Sequence, residues 1–492
     1  MEQFYPLEWM QVTGSEFVVD PKSDIVDGPF GSNLKSSEYI DSGVPIARIQ
    51  NVKRFRFIDK NIRFVSTEKA EQLRRHSFIS GDILITKLGD PLGLACEVPK
   101  LFKFGIIVAD LVRFRPNINV CSKPYILYLL NSEIVTKQIE AHVKGTTRPR
   151  INLGVIRNLS LPLAPLAEQK VISDKLDSML AQVETTKARL ERIPEILKTF
   201  RQSVLASAVS GKLTEEWRKY NPSAKVTIEH NSKLPKLSEE DFYTESVDDW
   251  SWIRFGSVVT LINGDRGKNY PNKSEYVEQG VPFINTGHID SDGTLSDVRM
   301  NYISHEKYDS LGGGKTQPID LVYCLRGATM GKTARVHYSV GAIASSLVIV
   351  RPSINIHRDF AYYFLISPAA RKLINEFDNG SAQPNLSAKS LATYPLQLPP
   401  IDEQTEIVRR VEELLAFADS VEAKANAALE RVNKLTQSIL AKAFRGELTA
   451  DWRAEHPDLI SGENSAEALL ERIKAERAAL SKKTTKKKSA KK

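Results

Sequence analysis

The sequence has little cysteine and no long apolar stretch. Its 492 residues include three cysteines, Cys96, Cys121 and Cys324, which are too few and too far apart for a disulfide framework or a zinc knuckle. Apolar stretches such as residues 104–109 and 346–350 are far shorter than the ~20 residues that a membrane-spanning helix needs. The first residues, MEQFYPLEW, lack the apolar core of a secretory signal. We therefore predict a protein of the reducing cytoplasm, without a membrane partner, whose cysteines lie in the hydrophobic core.

Motifs for catalysis and cofactor binding are also missing. The stretch GATMGKT at 327–333 has three residues between its glycines, where a phosphate-binding P-loop needs four. The stretch LGGGKT at 311–316 lacks the first glycine of that loop. DGPF at 27–30 is similar to the Asp-Pro-Pro-Phe loop of amino-methyltransferases, but Gly28 replaces a proline and no glycine-rich cofactor loop accompanies it. The eight histidines are scattered. We expect no catalysis, no metal and no cofactor in this chain.

Positive charge is unevenly distributed. The formal net charge is +8, with +7 in residues 1–220, −6 in residues 221–480 and +7 in residues 481–492. The last segment, SKKTTKKKSAKK, contains seven lysines and no acid, which is typical of a solvated, disordered tail. The rest of the chain is almost neutral, so any binding of nucleic acid must come from local basic patches.

The chain repeats itself. Residues 145–218 align without a gap to residues 380–453, and 22 of the 74 positions are identical. The identical positions include the pairs Pro149 and Pro384, Glu168 and Glu403, Gln169 and Gln404, Gly211 and Gly446, and Trp217 and Trp452. A weaker match, residues 37–46 with 274–283, precedes each copy. Because two long copies are too few for a solenoid, the order A–B–A′–B′ indicates duplication of a two-part module.

The B segments have the heptad pattern of paired helices. In the first copy the recurring apolar positions are Leu176, Val183, Leu190, Leu197 and Val204. In the second copy they are Val411, Ala418, Ala425, Val432 and Ile439. This spacing predicts a coiled coil, and a core helix within its own domain is the alternative. Pro194 interrupts the first copy where the second has Leu429, so we expect a kink or split in the first helix only.

The A segments predict compact domains with many strands and a few helices. The strands are expected at 83–86, 106–114, 321–325 and 346–350, and the helices at 124–139 and 360–377. Residues 219–248 are polar and weakly periodic, which is typical of a linker.

Cations beside turns and aromatic residues are the candidates for contacts with nucleic acid. They are Lys53, Arg54, Arg56, Arg74, Arg75, Lys87, Arg148, Arg150, Arg266, Lys268, Arg326 and Lys332. On a strand, Lys53 would lie on one face and Arg54 with Arg56 on the other. Lys87 precedes Gly89 in TKLGD as Arg326 precedes Gly327 in CLRGA, which suggests similar places in the two copies. Arginine can read a guanine edge, and lysine can hold phosphates. A solvated surface charge is the alternative for each residue.

Three stretches resemble the specificity subunit of a type I restriction–modification enzyme. They are residues 165–218, beginning PLAEQKVISDKL, residues 399–453, beginning PPIDEQTEIVRR, and residues 456–479, which are similar to the type IA branch in particular. The A segments match only in general features such as DGPFGSNL and SGVPIARI. The resemblance covers essentially the whole chain, but the DNA sequence that is read does not follow from it.

The resemblance implies an α+β protein with two mixed α/β target-recognition domains. Two long helices would separate them as an antiparallel coiled coil, and the internal duplication would be pseudo-twofold. The implied segments are a first recognition domain (1–150), a central helical spacer (151–218), a linker (219–248), a second recognition domain (249–390), a C-terminal spacer (391–453), a helical extension (454–480) and a disordered lysine-rich tail (481–492).

The resemblance also implies the partners. Each recognition domain would bind one half of a split target in double-stranded DNA. The helices would dock two modification subunits, which methylate adenine, and restriction subunits would add translocation and cleavage. S-adenosylmethionine, ATP and magnesium would bind to those subunits and not to this chain. A stand-alone DNA methyltransferase or nuclease, and a coiled-coil scaffold that binds only protein, are the alternatives.

Overall fold

The computed structural model describes residues 5–30, 33–143, 149–229, 231–377 and 385–489. The chain divides into two compact units. The first comprises Met1–Leu190 with Ala428–Lys492, and the second comprises Glu191–Ala427. Each unit therefore contains one A segment together with parts of both B segments.

The first unit begins with twelve strands and six helices. Its strands are β1 (Met10–Thr13), β2 (Ile25–Asp27), β3 (Val44–Ala47), β4 (Val52–Lys53), β5 (Arg56–Phe57), β6 (Arg63–Val65), β7 (Ser77–Phe78), β8 (Ile83–Thr86), β9 (Ala95–Glu97), β10 (Gly105–Ile107), β11 (Leu111–Phe114) and β12 (Ser160–Leu163). Its helices are α1 (Pro21–Asp24), α2 (Thr67–Gln72), α3 (Lys123–Leu130), α4 (Glu133–Glu140), α5 (Leu153–Arg157) and α6 (Leu166–Glu191).

The second unit repeats this series. Its strands are β13 (Ser251–Arg254), β14 (Val259–Asn263), β15 (Tyr276–Val277), β16 (Val281–Ile284), β17 (Asn301–Ile303), β18 (Lys315–Thr316), β19 (Leu321–Cys324), β20 (Thr333–Arg335), β21 (Gly341–Ile343), β22 (Leu347–Pro352) and β23 (Pro395–Leu398). Its helices are α7 (Ile193–Val209), α8 (Glu215–Tyr220), α9 (His305–Ser310), α10 (Arg358–Ile366), α11 (Pro368–Phe377), α12 (Ala388–Ala392) and the first part of α13 (Ile401–Phe444). The chain ends with α14 (Ala450–Glu455) and α15 (Ala466–Ser489).

Three sheets recur in both units with closely similar topology. In the first unit the strand orders are β1-β12, β2-β11-β8-β9 and β6-β3-β10-β7, with β4-β5 as a separate pair, and β3 and β10 are parallel. In the second unit they are β13-β23, β14-β22-β19-β20 and β15-β17-β16-β21-β18, where β15 is an additional edge strand, and β16 and β21 are parallel. The duplication that the sequence predicts is therefore present in the strand order as well.

The A segments differ from the sequence expectation at two kinds of place. The apolar stretch 106–114 forms two strands, β10 and β11, in different sheets. Each expected helix is also broken in two, at Ser132 in the first unit and at Ser367 in the second. Ser367 has an extended backbone because Pro368 follows it, and a residue before proline is disfavoured in the helical region.

The B segments form helices with buried heptad positions. Pro194 separates α6 from α7, whereas α13 runs through Leu429 without a break. This confirms the predicted difference between the copies. In the first unit Leu176 and Val183 share a hydrophobic cluster with Val432 and Ile439. All five recurring positions of α13 are buried, including the alanines, whose small side chains allow a close approach between helices.

Side-chain bonds in the second unit fix the helix direction. Arg201 of α7 bonds the carboxylate of Asp419 at 2.7 Å, whereas Arg410 of α13 donates to the carbonyl of Leu213 at 2.9 Å. Residue numbers therefore rise along one helix as they fall along the other, so α7 and α13 are antiparallel, as expected.

The C-terminal extension packs on the first unit. Leu469 and Ile473 of α15 are buried in the same cluster as Trp9, and Arg477 pairs with Glu16 at 3.1 Å. Helix α15 continues to Ser489, within the segment 481–492 for which the sequence predicted a disordered tail; residues 490–492 lie outside the described residues. Lysine and alanine are good helix formers, and extending an existing helix needs no new nucleus.

Candidate DNA interface

Three loops of the first unit meet beside the ends of β2 and β8. Asp27, the last residue of β2, pairs through its carboxylate with Lys87 Nζ at 2.6 Å. Both side chains are mostly buried, and Lys87 also lies over the ring of Phe30, 4.9 Å from its centroid. The segment after α4 contacts the loop after β8, because Gly89 N–H in that loop donates to Pro149 O at 3.1 Å. The geometry collects loops that are distant in sequence at one surface.

The same arrangement recurs in the second unit. Gly93 N–H donates to Thr86 O at 3.0 Å in the first unit, and Gly331 N–H donates to Cys324 O at 2.9 Å in the second. Both glycines have positive φ, as do Gly89 and Gly327, four residues earlier. The returning segment forms an isolated bridge in each case, Leu88 with Arg150 and Arg326 with Asn385. The two units therefore present equivalent loop ends.

The loops that follow β2 and β14 each contain a glycine that lies very close to the backbone of another segment. A Cβ on Gly28 would meet the carbonyl group of Val108 at 2.1 Å, and one on Gly264 would meet the carbonyl oxygen of Ala344 at 2.7 Å. Gly28 and Gly264 stand one residue after the ends of β2 and β14. The stretch DGPF is thus a structural turn with an equivalent, NGDR, in the second unit.

Residues 53–57, which the sequence predicted as one strand, form a hairpin. The expected placement of Lys53 on one strand face and of Arg54 with Arg56 on the other was therefore wrong. Lys53 pairs with Arg56 across the ladder, and Arg54 with Phe55 forms the two-residue turn between them. Phe55 has φ 63°. This conformation is held by distant groups: Phe55 N–H donates to Ala95 O at 2.9 Å, and its ring meets Tyr128 edge-on at 5.3 Å. The hairpin is therefore set by tertiary contacts and not by alternation along a strand.

The hairpin cations differ in exposure. Lys53 and Arg56 are exposed, whereas Arg54 is partly buried. Burial lowers the pKa of the Arg54 guanidinium. Lys53 and Arg56 are thus the two members of this group that are best placed to meet a ligand.

The other candidates of the first unit lie at the loop ends, with one exception. Arg74 and Arg75 are exposed in a 3-10 turn, and His76, which ends that turn, contacts Asp27 O through Nδ1 at 2.5 Å. Arg74 pairs with Glu71 at 2.8 Å, whereas Arg150 is exposed at the bridge. Arg148 lies outside the described residues. Arg74, Arg75, Lys87 and Arg150 are thus brought to one loop cluster.

The candidates of the second unit occupy the equivalent loops. Arg266 and Lys268 are exposed in the loop after β14, where Asp265 accepts from the N–H groups of Gly267 and Gly312 at 2.7 Å each. These two backbone bonds lower the pKa of Asp265, so it stays ionised beside them.

The proposed correspondence between Lys87 and Arg326 was wrong. Leu386 N–H donates to Leu325 O just as Ile151 N–H donates to Lys87 O, so Lys87 corresponds to Leu325. Arg326 is exposed at the bridge, on the next residue. The two cations therefore lie at successive positions: Lys87 is a mostly buried partner of a carboxylate, and Arg326 is available at the surface.

Sequence reasoning missed a carboxylate that joins each domain to its helices. In the first unit Glu168 is fully buried and accepts three bonds. They come from Trp9 Nε1 at 2.7 Å, Thr449 Oγ1 at 2.5 Å and Arg453 Nη1 at 2.5 Å. One side chain at the start of α6 thus ties together Trp9, which precedes β1, and the turn and helix α14 that follow α13.

The second unit repeats this junction atom for atom. Glu403 accepts from Trp250 Nε1 at 2.8 Å, Thr214 Oγ1 at 2.6 Å and Arg218 Nη1 at 2.5 Å. Arg218 also donates to Gly211 O at 2.8 Å. The signal was present in the sequence, because Glu168 and Glu403 are identical positions of the repeat. Their role needed the structure, since the tryptophans lie outside the aligned stretch.

Other kinds of site are not seen in the described part of the chain. Its His, Cys, Asp and Glu side chains form no group of three that could hold a metal ion. Its helices include none with the length and apolar character to cross a membrane. Cys96, Cys121 and Cys324 are free and buried.

The fold defines a protein of two related units with equivalent loop ends, and comparison with known proteins identifies its class as a DNA specificity protein. The type I restriction modification DNA specificity domain matches residues 78–195 and 247–431. The EcoKI specificity subunit of Escherichia coli K12 is 36% identical over 96% of this chain and 98% of its own length. The EcoDI specificity subunit of Escherichia coli is 39% identical over 74% of this chain and 79% of its own length.

Solved structures share the fold. A chain from a type I R-M system, solved to explain complex assembly and conformational transition, has a TM-score of 0.59 at 19% identity and covers 90% of this chain and 99% of its own. The HsdS subunit from Thermoanaerobacter tengcongensis has a TM-score of 0.55 at 19% identity, with 90% and 98% covered. These likenesses confirm the expected fold class.

The chain belongs to the family of type I restriction enzyme specificity subunits. Its relatives include EcoKI and the StySPI subunit of Salmonella potsdam, which confirms the expected type IA branch. It is the DNA-recognition component of a restriction–modification complex and not a catalytic subunit. The comparisons do not support a stand-alone methyltransferase or nuclease, or a scaffold that binds only protein.

Proposed function

We propose that each unit reads one half of a bipartite target in double-stranded DNA through its loop cluster. The observation that carries this proposal is the equivalence of the loop ends, each with two positive-φ glycines and a bridge that holds the returning segment. Glycines allow a backbone to approach phosphates closely, and exposed arginines can reach base edges. Arg75, Arg150, Arg266 and Arg326 are the proposed base-contacting group.

The two loop clusters carry different side chains on the same frame. In the first unit the 3-10 turn before β7 contains Arg74 and Arg75, whereas residues 312–314, before β18, are three glycines. The hairpin of Lys53 and Arg56 likewise has an acidic counterpart that contains Asp290 and Asp292. Two halves with the same fold and different charges suit the reading of two different DNA sequences.

The partners and cofactors belong to the same proposal. Two modification subunits, which methylate adenine, dock on the spacer helices, and restriction subunits add translocation and cleavage. S-adenosylmethionine, ATP and magnesium bind to those subunits. Methylation within a duplex needs the target base flipped out of the stack, which the modification subunits perform. The complex acts in the cytoplasm, where the three free thiols stay reduced.

Domain exchange tests the recognition role. Residues 1–150 are replaced by the corresponding domain of another family member, and methylated adenines are mapped across the genome of cells that also contain the partner subunits. The expected result is a site with one half changed and the other half retained. The reciprocal exchange of residues 249–390 changes the other half. An unaltered site after either exchange contradicts the proposal.

A second measurement tests the division of labour. The purified chain, incubated with S-adenosylmethionine and target DNA, should transfer no methyl group until the modification subunits are added. Methyl transfer by the chain alone would contradict this assignment.

A further inference from the structure

A basic cleft of about 910 Å³ lies in the second unit between α7, α11 and the loop that joins β19 to β20. Four cations line it: Lys198 and Arg201 on α7, Arg371 on α11, and Lys332 at the end of the loop. One acid, Asp290, also lines it. None of the cations Lys198, Arg201 and Arg371 belongs to the loop cluster described above.

Two of the charged groups are already paired. Arg201 bonds the carboxylates of Asp419 and Glu422 at 2.7 Å each, and these bonds raise its pKa. Asp290 pairs with Arg299 at 2.6 Å. These pairs leave the other three cations of the cleft in excess.

The three remaining cations are available to a ligand. Lys198, Lys332 and Arg371 are exposed, and no ion pair is recorded for them among the residues that the structure describes. Lys332 Nζ donates to the carbonyl of Ile289 at 3.3 Å, a bond that leaves two of its three ammonium protons free. Among the residues that the structure describes, the cleft therefore offers three positive groups that no carboxylate neutralises.

The first unit lacks these cations at the equivalent positions. Lys198 corresponds to Asn433 in the repeat alignment. Arg371 N–H bonds Ser367 O as Thr136 N–H bonds Ser132 O, so Thr136 is its counterpart. Cys324 N–H donates to Lys332 O as Thr86 N–H donates to Leu94 O, so Leu94 is the counterpart of Lys332. Because the common fold forms without these cations in the first unit, their charges are not needed to build it.

We propose that this cleft binds backbone phosphates of the DNA that adjoins the half-site read by the second unit. Lys332 and Arg326 lie on the same loop, so the cleft continues the proposed interface onto α7 and α11. This continuity favours DNA over an acidic protein segment. Lysine and arginine that contact phosphates position a protein on DNA without reading its sequence. The inference rests on the proposed function and adds a site for affinity outside the bases that are read.

Neutralising two of the cations tests the cleft. The full chain, assembled with its modification subunits, carries Lys198→Gln with Arg371→Gln. Binding is measured by fluorescence anisotropy with a duplex that contains the mapped target and with a scrambled duplex of equal length. Each lost phosphate contact lowers the slope of log Kd against log salt by about 0.9. The expected slope is smaller by about 1.8. The loss of affinity between 50 and 200 mM salt should therefore be about 12-fold smaller in the variant than in the wild type.

The matched control is Lys372→Gln with Lys389→Gln. Both lysines are exposed in the second unit, and Lys372 is the neighbour of Arg371 on α11. The control should retain the wild-type slope, and the cleft variant should retain the wild-type preference for target over scrambled DNA. Thermal unfolding of both variants verifies that the fold is intact.

Two results would overturn the inference. One is a wild-type slope in the cleft variant. The other is loss of assembly with the modification subunits in the cleft variant alone, which would assign the cleft to protein. Failure of the wild type to prefer target over scrambled DNA would refute the proposed function and is a separate result.

Discussion

The buried carboxylate Glu403 offers a quantitative test of how each recognition domain is attached to its helices. Glu403 is 1% exposed and holds Trp250, Thr214 and Arg218 together. Glu403→Gln keeps the shape but removes the charge and leaves Arg218 without its carboxylate. Breaking a buried ion pair by removing one partner costs about 3–5 kcal/mol. Because Arg218 is 15% exposed and keeps its bond to Gly211, we expect about 3 kcal/mol, a factor of about 150 in the opening equilibrium.

Hydrogen exchange of the full chain measures this loss locally. Peptides that cover residues 211–218 and 401–411 should exchange about 150-fold faster in the variant, unless complete unfolding sets an earlier limit. The first unit provides an internal control, since the equivalent junction at Glu168 is untouched and residues 446–453 should keep their protection. Glu168→Gln should reverse the pattern.

A double-mutant cycle isolates the ion pair from the other bonds. Arg218→Met removes the charge that Glu403→Gln leaves unpaired, so the double variant should be less destabilised than the sum of the two single variants. We expect a coupling of at least about 1 kcal/mol. Exchange within threefold of the wild type in Glu403→Gln, or additive losses in the cycle, would refute the reasoning.

Three further predictions concern the core and the helix pair. Burial raises the pKa of the Cys96 and Cys121 thiols to about 12. Neither thiol should therefore react with a thiol reagent at pH 8 until denaturant is added, and rapid reaction of the folded protein would contradict this. Ala418 is fully buried on α13, so a larger side chain there should disturb the helix packing. Ala418→Leu should lower the free energy of unfolding by about 1–3 kcal/mol in denaturant titrations. An unchanged denaturation midpoint would count against tight helix packing. The bond from Arg409 lowers the pKa of Glu406 from 4.5 to about 2, so the ionised form is favoured by folding. The advantage in melting temperature of the wild type over Glu406→Gln should be complete above about pH 4.5 and should decline as the pH falls toward 2; a constant difference across that range would contradict it.

The features that sequence reasoning predicted well depend on neighbours along the chain. The heptad positions became the buried face of the helices because residues three and four apart share a helix face. The split at Pro194 followed from a missing backbone donor, and the continuous second helix followed from Leu429 at the equivalent position. The expected strand at 83–86 also formed as predicted.

The features that failed depend on residues far apart in sequence. The hairpin at 53–57 turns at Phe55 because Ala95 and Tyr128 hold it. Lys87 was taken for an exposed cation, yet its partner Asp27 lies 60 positions earlier. Charge alone could not separate such a cation from a truly exposed one.

The sequence by itself determined the duplication, the paired helices and the family, because identical residues and heptad spacing are properties of the chain that need no coordinates. The antiparallel direction of the helices was expected only from the family resemblance. The tertiary structure alone decided which cations are exposed and unpaired among the described residues. It paired Lys87 and Arg201 with carboxylates, exposed Arg75 and Arg326 at different loops of the two loop clusters, and placed Lys332 in one cleft with residues of two helices. The physical reason is that the availability of a charge depends on burial and on partners brought together by folding, and neither is a local property of the sequence.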